Sequence, residues 1–140
     1  MHTSSPAPFA RLALRIAGIV GALGVAAGAF GAHALKAQVN EAQLGWWATG
    51  AQYHLIHAVV LLALAVLASV RPPSKPLRVA FYLITAGIVV FAGSLYAMAL
   101  TDIRVLGAIT PIGGSAIIAG WVVAAFGVSR TVAPDRGDAQ

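Results

Sequence analysis

Four long runs without an acidic residue dominate this sequence: Leu12–Ala34, Gly50–Val70, Val79–Leu100 and Pro111–Ser129. Each reaches the roughly 20 mainly apolar residues that an α-helix needs to cross the hydrocarbon of a bilayer. Backbone groups in lipid must be satisfied within the segment, so each run reads as a helix. Only 9% of the 140 residues are charged and 59% are hydrophobic, whereas a soluble domain carries about 25% charged residues. The expected fold is therefore all-α, a four-helix transmembrane bundle whose partner is the lipid bilayer itself.

Residues 1–10 read as a disordered amino-terminal tail, residues 11–130 as a single membrane domain, and residues 131–140 as a polar carboxy-terminal tail. Arg11 and Arg15 ahead of an apolar run ending at Ala32-His33-Ala34 have the layout of a signal peptide. The stretch Ile16–Ala32 exceeds the roughly 7–15 residues of a signal h-region, so it is read as a retained span. The chain has no cysteine. That excludes disulfides, thiolate metal sites, covalently attached c-type haem and lipidated cysteine.

The cations give an orientation. With a cytoplasmic amino terminus, the inside receives Arg11, Arg15, Arg71, Lys75, Arg78, Arg130 and Arg136, and the outside only Lys36 and Arg104. Positive residues gather on the cytoplasmic side, so both termini are expected there, with the Leu35–Thr49 and Thr101–Thr110 connections outside. The formal charge of +5 is read as orientation, and no nucleic-acid partner is expected.

Small residues mark the packing faces. Ala17, Gly21, Gly24, Gly28 and Gly31 line one face of span one, and Gly113, Ala116, Gly120 and Gly127 line span four. Close backbone approach of this kind holds helices together in lipid, and the same seams are candidates for a homo-oligomer or a membrane-protein partner. Asn40 with Gln43 three residues on predicts a capping box, so helix two begins with an interfacial turn before entering the membrane near Gly50. Trp46 and Trp47 are expected as headgroup anchors, and Trp121 as packing. Arg71–Arg78, with three prolines and three cations, reads as a loop throughout.

In this topology the polar residues gather near the outer end: His33 on span one, Tyr53, His54 and His57 on span two, Ser94 and Tyr96 on span three, with Asp102, Thr110 and Ser115 flanking. The inner half offers little beyond Thr85. His54 and His57 share a helix face, and the first glycine seam is expected to bring His33 level with His57 and Tyr96. Converging imidazoles suit a metal, and a histidine pair from two helices suits a haem in a bundle. The simpler reading of the same residues is interhelical hydrogen bonding. No HExxH, no intramembrane carboxylate and no recognisable nucleophile–base motif accompanies them, although Ser94 near a histidine is a geometric candidate.

Five ordered motifs, Gly28-Ala-Phe-Gly-Ala-His33-Ala-Leu, Tyr53-His-Leu-Ile-His57-Ala, Gly93-Ser-Leu-Tyr96, Thr110-Pro-Ile-Gly-Gly114 and Gly120-Trp121, are similar to those of the YgdD-like family of small four-span inner-membrane proteins of unknown function. The resemblance runs from about Gly18 to Phe126. It implies a bacterial inner-membrane address and characteristic positions for His33, Tyr53, His57, Ser94 and Tyr96. His54 falls where relatives carry glutamine, and Ala92 where they often carry serine. The first departure leaves His33 and His57 as the better ligand pair for a metal or haem.

The sequence thus favours a non-enzymatic integral-membrane protein of binding or structural type, with a polar histidine-containing cluster near one membrane face. A metal- or haem-binding protein using His33 and His57 is the first alternative. A small transporter subunit is the second, although proton exchange would need a histidine relay because the spans lack acids.

Overall fold

The computed structural model describes residues 8–132, and the tail residues before and after this range lie outside the described residues. The described chain forms four long helices, α1 (Pro8–His33), α2 (Glu41–Val70), α3 (Lys75–Thr101) and α4 (Thr110–Val132). Each is long and apolar enough to cross a membrane. The shortest, α4, has 23 residues and spans about 35 Å at about 1.5 Å per residue, against a hydrocarbon thickness of about 30 Å.

Helix boundaries follow local chemistry. α1 begins at Pro8, where a missing N–H costs nothing. Pro8, Phe9 and Ala10, expected in the tail, therefore belong to the helix. The Phe9 ring meets Phe81 edge-on at 5.7 Å and lies under the Arg78 guanidinium at 5.3 Å. The expected capping box opens α2: Gln43 N–H donates to Asn40 Oδ1 at 3.0 Å, and Asn40 N–H donates to Gln43 Oε1 at 3.2 Å.

The 71–78 loop is shorter than expected. Only residues 71–74 are irregular, and α3 starts at Lys75 with Ser74 as its N-cap and Pro76 in the first turn. Proline there removes only an N–H that has no helical acceptor. α3 ends on Asp102 in the left-handed region, φ 56°, which a short polar side chain tolerates.

α2 and α3 are the most enclosed helices, with α1 packed on α2 and α4 on α3. Near its start α1 offers Ala10, Ala13 and Ala17, all nearly fully buried, against Leu61, Leu64 and Ala65 of α2 and Leu77, Phe81 and Ile84 of α3. Small residues on one helix accept large ones from its neighbours, so three helices close tightly at this end.

α3 and α4 are joined by glycines that recur every seven residues on α4. Gly113, Gly120 and Gly127 oppose Phe91, Ile84 and Leu77, and Gly87 returns the contact at Ile117. A Cβ on Gly127 would stand 2.5 Å from the Leu77 backbone nitrogen. In lipid this closeness is itself the attraction.

Candidate functional site

The polar residues picked out in the sequence form interhelical pairs rather than one cluster. His54 and His57 share a face of α2, as expected, but reach different neighbours. His54 Nδ1 lies 3.2 Å from the Tyr96 hydroxyl on α3. His57 Nδ1 lies 2.7 Å from the Tyr53 carbonyl. A carbonyl only accepts, so Nδ1 carries the proton and Nε2 is the acceptor. Nε2 receives the indole N–H of Trp121 on α4 at 3.2 Å.

Ser94 Oγ donates to the Phe91 carbonyl at 2.9 Å and lies 2.8 Å from the Thr110 hydroxyl, linking α3 to α4. With the serine proton on Phe91, Thr110 is the donor of that second bond. Tyr53 is 42% exposed, stacks on His57 at 5.8 Å and packs against Phe91 at 4.6 Å.

His33 is not brought to this level. It ends α1 on an exposed position. Gly31 touches Trp47 and Gly24 touches His54, a register that sets His33 opposite residue 45. His57 is then about 18 Å further along α2. The expected His33–His57 ligand pair is separated along the bundle, because α2 runs continuously from Glu41 and carries its histidines well below its first turns. Among the described residues no group of three or more His, Cys, Asp or Glu is placed to hold a metal.

A different feature is built around Trp47. Instead of anchoring at the headgroups, this residue is buried and turned inward. Its indole N–H donates to the Ala27 carbonyl at 2.8 Å, reaching the α1 backbone because Gly31 has no side chain: a Cβ there would lie 2.6 Å from Trp47 Cδ1. Phe30 and Tyr96 flank the indole at 5.2 and 4.4 Å. Tyr96 rests on Gly50 and bonds His54. Phe30, Trp47, Tyr96 and His54 thus make one continuous aromatic wall across α1, α2 and α3.

Beside this wall α1 and α3, which meet through Phe9 and Phe81 near their amino-terminal ends, do not close on each other. They leave an apolar groove of about 550 Å³. Val20, Leu23, Ala26 and Ala27 line it from α1, and Ile88, Val89, Ala92 and Gly93 from α3, with Trp47, His54 and Tyr96 at its back. His54 Nδ1 and the Tyr96 hydroxyl are turned towards each other, and the walls of the space are almost wholly hydrocarbon and ring faces.

Several partners were not legible beforehand. Gln43, besides capping α2, donates from Nε2 to the Ala99 carbonyl at 2.8 Å. The signal was there: the last carbonyls of α3 need donors, and an amide sits at the same end of the neighbouring helix. Trp121 as the donor to His57 had no sequence signal. The other end also holds more polar chemistry than expected, since Ser74 Oγ donates to the Gly127 carbonyl at 2.9 Å and lies 3.1 Å from the Thr131 hydroxyl.

Four apolar spans joined by polar pairs define an integral, multi-pass membrane protein. The model of a protein family of unknown function, DUF423, matches residues 27–114, and the chain belongs to that family. Its relatives include the UPF0382 membrane protein YwdK of Bacillus subtilis, 46% identical over 101 residues, which are 72% of this chain and 82% of that protein. The UPF0382 membrane protein SAB0533 of Staphylococcus aureus is 42% identical over 109 residues, 75% of this chain and 88% of its own length. The UPF0382 inner membrane protein YgdD of Escherichia coli is 37% identical over 124 residues, 86% of this chain and 91% of its own. No solved structure matches the chain.

Proposed function

We propose that the protein is a non-enzymatic binding protein of the inner membrane that takes a lipid hydrocarbon chain into the groove between α1 and α3. The observation that carries this reading is the groove itself, about 550 Å³ with almost wholly apolar walls. Apolar walls without partner atoms forfeit their dispersion contacts, and the bilayer around the bundle supplies a filler in the form of an acyl or isoprenoid chain. The histidines act structurally, holding α2 against α3 and α4 as the rigid back of the site. Ser94 spends its hydroxyl on Phe91 and Thr110, which supports packing over nucleophilic chemistry.

The cations support an orientation with both termini cytoplasmic. Arg11, Arg15, Arg71, Lys75, Arg78 and Arg130 fall at the end where α1 begins, and Lys36 and Arg104 at the other. The groove then opens in the outer leaflet. Because the chain lacks cysteine, single cysteines at Lys36 and Arg71 would report the two sides by labelling with an impermeant maleimide in intact cells.

Gly93 provides the test of binding. It lines the groove, and a Cβ added there meets nothing within 4 Å. Gly93→Leu should fill the groove without disturbing the helices. Vesicles containing a phospholipid with a diazirine on its acyl chain should label the groove peptides of the wild type, and Gly93→Leu should lose most of that labelling. Gly18→Leu, at an open position outside the groove, should keep it. Equal labelling in the wild type and Gly93→Leu would remove the groove as a binding site.

A further inference from the structure

On the far side of Trp47 from this groove lies a second cleft, between the last turns of α1 and the first turns of α2. It encloses about 450 Å³ and is floored by small residues, Gly28, Gly31 and Ala32 on α1 with Ala48 and Ala51 on α2. Lys36 is its one charged liner. We infer that this cleft is a binding site for an anionic phospholipid, with one acyl chain along the small-residue floor and the headgroup phosphate at the Lys36 ammonium.

Two independent features specify the two halves of that ligand. The floor runs from the polar end of the bundle into the spans, so its occupant carries hydrocarbon. At the mouth stands a cation with no carboxylate partner among the described residues; the ion pair among them is Arg104 with Asp102, at 3.9 Å in the α3–α4 connection. An unpaired ammonium above an apolar trough at the membrane boundary complements a molecule that is anionic at one end and apolar along its length.

The lysine is also held in place. It sits in the middle of a 3-10 turn, Leu35–Ala37, whose Leu35 side chain is buried at 2% exposure. The turn is closed by Gln38, whose N–H donates to the Leu35 carbonyl at 2.8 Å and whose side-chain amide donates to the Ala34 carbonyl at 3.0 Å. The headgroup anchor therefore has a fixed backbone over the trough.

This site does not depend on the groove between α1 and α3, and its test uses a different residue and a different lipid property. Trp47 lines both the cleft and the groove and serves as the reporter; the groove meets only hydrocarbon, which the two lipids share, so a headgroup preference reports the cleft. Wild-type protein is reconstituted in phosphatidylcholine vesicles in which a fixed fraction of the lipid is either phosphatidylglycerol or phosphatidylcholine with brominated chains, and tryptophan quenching is compared. Quenching of outward-facing tryptophans is common to both lipids and cancels in the comparison.

The wild type should favour the brominated phosphatidylglycerol by about fivefold in apparent affinity, the scale of one lysine at an anionic surface. Lys36→Gln should remove the preference, Lys36→Arg should keep it, and Arg104→Gln, at the paired cation of the same end, should leave it unchanged. Added salt should weaken it. A wild type that quenches equally with both lipids, or a Lys36→Gln protein that retains the preference, overturns the inference. Because Lys36 is exposed, its replacement leaves the core packing intact, and circular dichroism of each variant verifies that.

Discussion

The α3/α4 pair and the α1/α2 pair both pack through glycines, and they come out differently. On α4 the glycines at 113, 120 and 127 meet the backbone of α3, so that Gly113 lies against the Phe91 main chain and Gly127 against that of Leu77. Hydroxyl pairs clasp this seam at both ends, Ser94 with Thr110 and Ser74 with Thr131. On α1 the glycines meet side chains instead: Gly24 receives the tip of Leu55 and the edge of His54, and Gly31 the indole of Trp47. Backbone against backbone closes an interface. Backbone against a large side chain makes a socket and leaves open space on either side of it, and two clefts flank that socket. The half of the bundle that holds these two clefts is the half that packs less closely.

The largest effect should come from the closed seam. Gly113→Ala places a methyl group against main-chain atoms of Phe91 that cannot move aside. Overpacking of this kind costs about 1–3 kcal/mol and occasionally more, which outweighs the roughly 1 kcal/mol of helix propensity gained by alanine. Unfolding by denaturing detergent should show a loss near the top of that range. A loss below about 0.5 kcal/mol would mean that the two helices separate freely, and the contrast between the seams would fail.

Gly31→Ala tests the socket and should cost less, about 1–2 kcal/mol, because its obstacle is a side chain. The Cβ would stand 2.6 Å from Trp47 Cδ1, so the indole must shift and give up its bond to Ala27. The diagnostic readout is the tryptophan emission, which should move as the ring leaves its pocket. Unchanged emission would place the strain somewhere other than Trp47.

The His57–Trp121 pair is smaller again. In a double-mutant cycle of His57→Ala and Trp121→Phe, the coupling should be about 0.6 kcal/mol and no more than about 1.7, the range for hydrogen bonds between membrane helices. A larger coupling would give α2/α4 contact a weight comparable to the closed seam. No coupling would mean that the indole N–H finds another acceptor when His57 is removed.

How much of this was legible beforehand follows the range of each interaction. Local rules worked where the partner is close in sequence: the Asn40–Gln43 box was read from its spacing, and the α4 glycines from their repeat. Local rules misjudged Pro76 and Pro8, because proline breaks a helix interior but not its first turn. Everything that depends on register between helices was harder. The sequence puts both His33 and His57 near the outer end, yet α2 begins at Glu41 and descends 16 residues before reaching His57. Trp47, placed near the boundary, reads as an anchor. Its inward turn depends on Gly31 of another helix, a coincidence of two positions that neither segment announces alone.

Gly21 completes the comparison from its weakest end. It belongs to the same run of small residues as Gly24 and Gly31, and the sequence gives no reason to treat it differently. In the structure a Cβ at Gly21 meets nothing within 4 Å, so the residue serves neither as a seam nor as a socket. Gly21→Ala should then show only the alanine side of the balance, a gain of about 0.5–1 kcal/mol from reduced backbone freedom, with tryptophan emission unchanged. A loss like that of Gly31→Ala would mean that the face of α1 around Gly21 is covered by something other than lipid chains, and that the open half of the bundle is closed by a partner helix.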